Sequence, residues 1–155
     1  MYYLIALIIV IIGTVVEVVV THTNTVPHIA SVALLWLVAG FYGGNMFISG
    51  LQHIFNSKNI ARSIGWESNG FQKELGWFSV GLGISGLLAV FWQGIYLVGP
   101  AVVGSVFLFG AALVHREDMR KRQNFHPGNA GIIFYMDLIV PLLTLAVILL
   151  ATPWR

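Results

Sequence analysis

Seven of the eight basic residues, Lys58, Arg62, Lys73, Arg116, Arg120, Lys121 and Arg122, fall in two short polar segments, and only Arg155 lies elsewhere. Long apolar runs fill the rest of the chain. A spanning helix needs about 20 mainly apolar residues, and five stretches reach that length: Tyr2 to Val20, His28 to Gln52, Leu75 to Trp92, Ile95 to His115 and Ala130 to Ala151. Gln93 and Gly94 break the third from the fourth, because one helix through both would be about twice the bilayer thickness. The expected fold is all-α: a single integral membrane domain over residues 1–155, built as a bundle of five transmembrane helices.

Composition supports a lipid environment. Hydrophobic residues make up 57% of the chain and charged ones 9%, with a mean hydropathy of +0.84, too little polar surface to coat a soluble globule. The formal charge of +2 comes from the two basic segments, so it bears on membrane orientation and calls for no nucleic-acid partner. Basic loops stay on the cytoplasmic side. With five crossings the loops after the second and fourth spans share a side, which predicts an inner-membrane protein with its N-terminus cytoplasmic and its C-terminus outside. No Lys or Arg precedes the first apolar run and no small-x-small site follows it, so that run is expected to be retained rather than cleaved. Absence of cysteine excludes disulfides, thiolate metal sites and cysteine nucleophiles.

Aromatic residues at the headgroup level fit the same frame. Tyr2, Tyr3, Trp66 and Trp77 fall near the inner boundary, and Trp92, Tyr96 and Trp154 near the outer one. Trp36 is the exception, within the second span. The inner segment from Asn56 to Gln72 is long enough for an interfacial helix with Ser57 as N-cap and Ile60 and Ile64 on one face. Asn69-Gly70 reads as a turn, Pro127-Gly128 as another, and Asn129 as a cap for the last helix. Gly40 with Gly44, and Gly81 with Ser85, carry the four-residue spacing that lets helix backbones approach in lipid. The run Gly81-Leu82-Gly83-Ile84-Ser85-Gly86 has the lettering of a dinucleotide-binding loop, but it lies inside an apolar span rather than between a strand and a helix.

Ionisable groups at membrane depth are costly and mark sites by default. Four come from four different helices at the predicted cytoplasmic end: His53, Glu74, His115 and Asp137. Tyr42, Asn45, Ser49 and Gln52 share one face leading to His53, and Asp137, Pro141 and Thr144 share another. These residues define a candidate pocket for a small ligand or proton, with His53, Glu74, His115, Asp137, Asn45 and Gln52 as its polar lining and no autonomous catalysis expected. A metal reading would take His53, His115, Glu74 and Asp137 as nitrogen and oxygen ligands, but no Glu-x-x-His or His-Glu-x-x-His is present, so no cofactor is specified. Alternative readings are a purely structural ion-pair cluster of Asp137 with His115 or Arg116, an accessory subunit packed against a second copy or another membrane protein, and a metal- or quinone-linked redox protein. Lipid is the expected partner in every case. Glu17, Thr21, His22, Thr23, Asn24 and His28 form a polar rim at the other end, where Glu17 is expected to reach the interface or His22.

The run Gly50-Leu51-Gln52-His53, with Ser63-Ile64-Gly65-Trp66, Phe71-Gln72, Glu74, Gly76, His115, Pro127-Gly128-Asn129-Ala130-Gly131, Asp137 and Pro141, resembles a family of small prokaryotic membrane proteins of unknown function. Asn69-Gly70 stands where that family has Ser-Pro. The Phe47-Ile48-Ser49-Gly50-Leu51-Gln52-His53 run and the small-residue-rich helices are also distantly similar to DoxX-like redox-associated membrane proteins. That likeness implies a four-helix module preceded by an added first span, with quinone or redox association.

Overall fold

The computed structural model describes residues 2–151, apart from the side chain of Tyr2. The expectations placed on Tyr2, Trp154, Arg155 and the C-terminus lie outside the described residues. Six longer helices follow in order: α1 (Tyr2–Thr21), α2 (Val26–Phe55), α3 (Ser57–Ile64), α4 (Gly70–Leu88), α5 (Val98–Arg122) and α6 (Ile132–Leu150). A 3-10 turn, Gly94–Leu97, leads into α5, and a one-turn helix, Pro127–Ala130, precedes α6. No strand occurs among the described residues. Four segments are long and apolar enough to cross a membrane: Tyr3–Thr21, Val26–Phe55, Gly94–Arg122 and Pro127–Leu150.

The third expected span, Leu75 to Trp92, is not among them. Its helix starts at Gly70, so the first two turns carry Gln72, Lys73 and Glu74, and it stops at Leu88, with Ala89 to Trp92 in successive turns. The apolar part, Leu75 to Leu88, spans only ~21 Å at 1.5 Å per residue. Helix α5 errs the other way and continues past His115 to Arg122. Glu117 pairs with Lys121 on its surface, exposed Arg122 pairs with buried Asp118, both at four-residue spacing, and three cations in the last turn face the negative end of the helix dipole.

Helix α2 is the central element. Pro27 starts it, where a missing N–H costs nothing, and Leu37–Asn45 is wound as π-helix between two α-helical stretches. Its fully buried Leu34, Val38, Phe41 and Tyr42 form the core with Leu108 of α5 and Val140 of α6. The α2–α4 seam is made by other glycines than Gly40, Gly44 and Gly81. A Cβ on Gly50 would sit 2.6 Å from the Gly76 carbonyl, one on Gly83 2.5 Å from the Phe47 nitrogen, and one on Gly86 2.6 Å from the Gly43 nitrogen. At Gly81 a Cβ meets nothing within 4 Å, and at Gly44 only its own helix's Ala39 carbonyl at 3.9 Å. The close approach therefore follows Gly43 and Gly50 on α2 against Gly76, Gly83 and Gly86 on α4.

Trp36 finds its place through two residues one turn apart on α1. Its indole lies flat against Gly13, and its Nε1 donates to Glu17 Oε2 at 2.8 Å. Glu17 thus turns inward to Trp36 rather than to His22, and the buried-span tryptophan is satisfied. Outward, α1 exposes Ile8, Ile12, Val15 and Val19, an apolar face suited to acyl chains.

Candidate functional site

The two basic segments meet at one end of the bundle. Gly65, in the left-handed region at φ 84°, ends α3 and lets Trp66 N donate to the Ala61 carbonyl. This turn aims the Trp66 indole at α5. There its Nε1 donates to Asp118 Oδ2 at 2.8 Å and its ring stacks on His115, with centroids 5.5 Å apart. Asn124, in the other basic segment, donates to the Ile64 carbonyl at 2.8 Å and to Asp118 Oδ2 at 2.5 Å. Trp66 is therefore a half-buried clasp that ties the two basic segments together.

Behind the clasp lies a cavity of about 560 Å³. Ser49, Gln52, His53, His115 and Asp137 give it a polar end, and Leu75, Phe107, Ala111 and Ile133 are among its apolar walls. Exposed Phe71 on α4 and Gly110 and Val114 on α5 edge it, so its mouth opens sideways between those two helices. A Cβ on Gly110 would meet nothing within 4 Å, which leaves this glycine without a packing role and the mouth wide.

Of the residues expected in a polar pocket, His53, His115, Asp137 and Gln52 line this cavity and two do not. Glu74 is exposed on α4 and does not line it. Gln72, half a turn earlier, takes the position beside His53: its amide nitrogen donates to the Ser57 carbonyl at 3.1 Å and reaches His53 Nδ1 at 3.4 Å. Nδ1 consequently accepts, and neutral His53 carries its proton on Nε2. Asn45 is buried at the last π-helical residue, outside the cavity lining, and its Nδ2 has no hydrogen-bond partner among the described residues. Among the described residues no group of three His, Asp or Glu side chains is placed to hold a metal.

The His115–Asp137 pair is the chemical centre. Asn129, fully buried, donates from Nδ2 to the Asn124 carbonyl at 2.7 Å, so its Oδ1 is the atom facing His115 Nδ1 at 2.6 Å. A carbonyl accepts only, hence Nδ1 carries a proton and the neutral ring leaves Nε2 bare. That Nε2 faces Asp137 Oδ2 at 3.7 Å, with Asp137 only 2% exposed. Two bare acceptors buried face to face repel, and at 3.7 Å they are too far apart to share a hydrogen bond, so the repulsion is relieved when one of them carries a proton or a donor from a third group lies between them. Pro141 adds a further acceptor, because it has no N–H for the Asp137 carbonyl one turn back. Tyr3 of α1 also lines this region.

Asn129, Trp66 and Tyr3 were not legible as site residues. Asn129 reads as a helix cap, but Gly131 occupies the cap position of α6 and the Asn129 side chain turns to His115. Deeper, Tyr42 joins three helices: Thr144 donates its hydroxyl to the Val140 carbonyl, so Tyr42 donates to Thr144 and accepts from Ser105, each at 2.9 Å. No curated protein and no solved structure matches the chain. A family model matches residues 1–154, and on that coverage the chain belongs to a family of unknown function, DUF6790.

Proposed function

We propose that this is an integral membrane protein that binds a small, mainly apolar molecule with a polar head, taken sideways from the bilayer into the cavity between α4 and α5. The cavity itself carries the reading. Its size is within the usual range for small-molecule sites, with apolar walls and a few convergent polar groups. Its mouth is edged by exposed apolar residues, and its polar end offers a donor at His53 and acceptors at His115 and Asp137. No nucleophile is paired with a base among the lining residues, so the role proposed is binding rather than catalysis.

The topology that accompanies this reading has five crossings, with α4 as the shortest, completed by the turns through Trp92. Both basic segments lie at one end, as the bonds from Trp66 to Asp118 and from Asn124 to Ile64 require. By the charge rule that end is cytoplasmic, with the N-terminus on the same side in the inner membrane. The test is to fill the mouth. Gly110→Trp places an indole in open space at the cavity edge, whereas Gly99→Trp fills open space on the same helix away from it. Extracts of purified protein, compared by mass spectrometry, are expected to show a small lipophile that is lost in Gly110→Trp and kept in Gly99→Trp. Equal content in both variants would overturn the reading.

A second role has one observation behind it. Gly81 and Gly99 edge a groove of about 630 Å³ toward the other end, and added Cβ atoms there would meet nothing within 4 Å. Such a surface admits a partner helix, as an accessory subunit would need. Cysteine crosslinking from Gly81→Cys in membranes is expected to capture a second copy or a membrane partner; absence of any crosslinked species removes this role.

A further inference from the structure

Resting on the cavity reading, we propose that the ligand is a lipophilic amine, whose ammonium group takes the place of the one proton carried by the His115–Asp137 pair. The argument begins with what the pair lacks. Among the described residues Asp137 has no Lys or Arg within ion-pair distance, and its one charged-group neighbour is His115. His115 is fixed as an acceptor at Nε2 by Asn129. The pair is thus an anion and a lone pair that together require a donor with at least two hydrogens reaching both, or a proton on one of the two.

An ammonium nitrogen meets that requirement geometrically. Charge-assisted bonds of ~2.8 Å to Oδ2 and ~2.9 Å to Nε2 close a triangle on the observed 3.7 Å base, with the nitrogen displaced toward the cavity. Trp66, Phe71, Phe107 and Tyr3 line the same space and offer aromatic faces to a cation. An alcohol of the same shape brings one hydrogen and no charge, so it can satisfy one acceptor but not both. A carboxylate ligand would add a third acceptor to the two present. The titratable groups facing the pair are Tyr3 from α1, His53 from α2 and, on α5 beside His115, the carboxylate of Asp118 held by Trp66 and Asn124; α4 supplies none, since Lys73 and Glu74 are exposed and do not line the cavity.

The proton balance is definite. The empty pair holds one proton; an ammonium entering from water keeps its own three, and the pair's proton leaves to solvent. Binding therefore releases one proton per amine and strengthens as pH rises, until the free amine itself begins to deprotonate. If the neutral amine enters from lipid, the same proton passes from the pair to the amine nitrogen and none is released.

Calorimetry on the full chain in lipid nanodiscs, with phenylbutylamine and phenylbutanol as probes added from water, tests this. The amine is expected to bind at least about tenfold more tightly than the alcohol, a ratio equivalent to ~1.4 kcal/mol. Titrations in two buffers of different ionisation enthalpy should give one proton released per amine and none per alcohol. In Asp137→Asn the preference should vanish while the alcohol still binds, which also reports an intact cavity. Equal affinity of the two probes in the unaltered protein, or no proton release with the amine, overturns the inference and leaves the cavity reading standing. Failure of both probes to bind the unaltered protein overturns the cavity reading first. Should Asp137→Asn not fold, the two-buffer titration of the unaltered protein decides the matter without it.

Discussion

Two glycines two residues apart on α4 make opposite predictions for the same substitution. At Gly81 a Cβ enters open space, so Gly81→Ala is expected to gain the helix-propensity difference, on the order of 0.5–1 kcal/mol. At Gly83 the same Cβ would lie 2.5 Å from the Phe47 nitrogen and 2.7 Å from its Cα. Neither is the end of a flexible side chain, so relief requires the α2 and α4 backbones to separate by roughly an ångström, a scale at which well-packed contacts are lost. That separation also loosens the Gly50–Gly76 and Gly43–Gly86 contacts on the same seam. Overpacking costs of ~1–3 kcal/mol apply at their upper end here. Less the propensity gain, Gly83→Ala should destabilise by about 2 kcal/mol, and the two variants should differ by about 3 kcal/mol. Reversible unfolding in mixed micelles, followed by circular dichroism, measures both. Equal stabilities, or a larger loss at Gly81, would refute the packing seam and with it the position of α4 beside His53.

Three further perturbations test the site and its frame. Asn129→Leu leaves the His115 Nδ1–H and the Asn124 carbonyl without partners in a buried place, and should cost about 2–4 kcal/mol in the same unfolding assay; a loss below ~0.5 kcal/mol would undo the assignment of the His115 proton. Tyr42→Phe removes one hydroxyl bonded to both Ser105 and Thr144, with an expected loss of ~1–2 kcal/mol that shrinks to the share of the Ser105 bond when Thr144 has already been replaced by Val. In this cysteine-free chain, Asn24→Cys should react with an impermeant maleimide on intact cells while Asn59→Cys and Gln123→Cys should not; external labelling of Asn59→Cys would reverse the proposed orientation.

Long apolar runs and loop charge were legible because they are one-dimensional signals. The ends of α2 and α6 fell close to their expected places for that reason. Helix pairing was less legible, because any glycine in a span reads as a close-approach point and only the facing helix decides which one is used. Gly81 and Gly83 differ by 200° around the helix axis at 100° per residue, and sequence spacing alone does not say which side meets α2. The extra turns of α5 are hidden in the sequence for a different reason. Charge marks a segment as leaving the lipid, not as leaving the helix, and the pairs of Glu117 with Lys121 and Asp118 with Arg122 keep it wound.

At the site, the titratable residues stood out by their depth, whereas the groups that orient them did not. Asp137 and His115 are costly wherever they lie in an apolar span, so each announces itself. Asn129 is inexpensive in a loop, and nothing in Pro127-Gly128-Asn129 says that its amide will be turned by the Asn124 carbonyl to present an oxygen to His115. Yet that amide decides the chemistry of the pair. With its nitrogen toward His115 instead, Nδ1 would accept, Nε2 would carry the proton, and His115 could donate directly to a charged Asp137, leaving no vacancy for a proton or an ammonium. The basic segments thus also contain Trp66, which closes the cavity's end against His115, and Asn124, whose carbonyl holds Asn129 in register. Changes in the loop at Asn124 should therefore alter what the cavity binds without touching a lining residue. Asn124→Asp is the direct case: its backbone carbonyl still receives Asn129, but its side chain would meet Asp118 as a second acceptor in place of a donor. Repulsion there should displace Trp66 from His115, and its fluorescence should shift toward that of a water-exposed indole, while Asn124→Ala, which removes the contact without a charge, should shift it less.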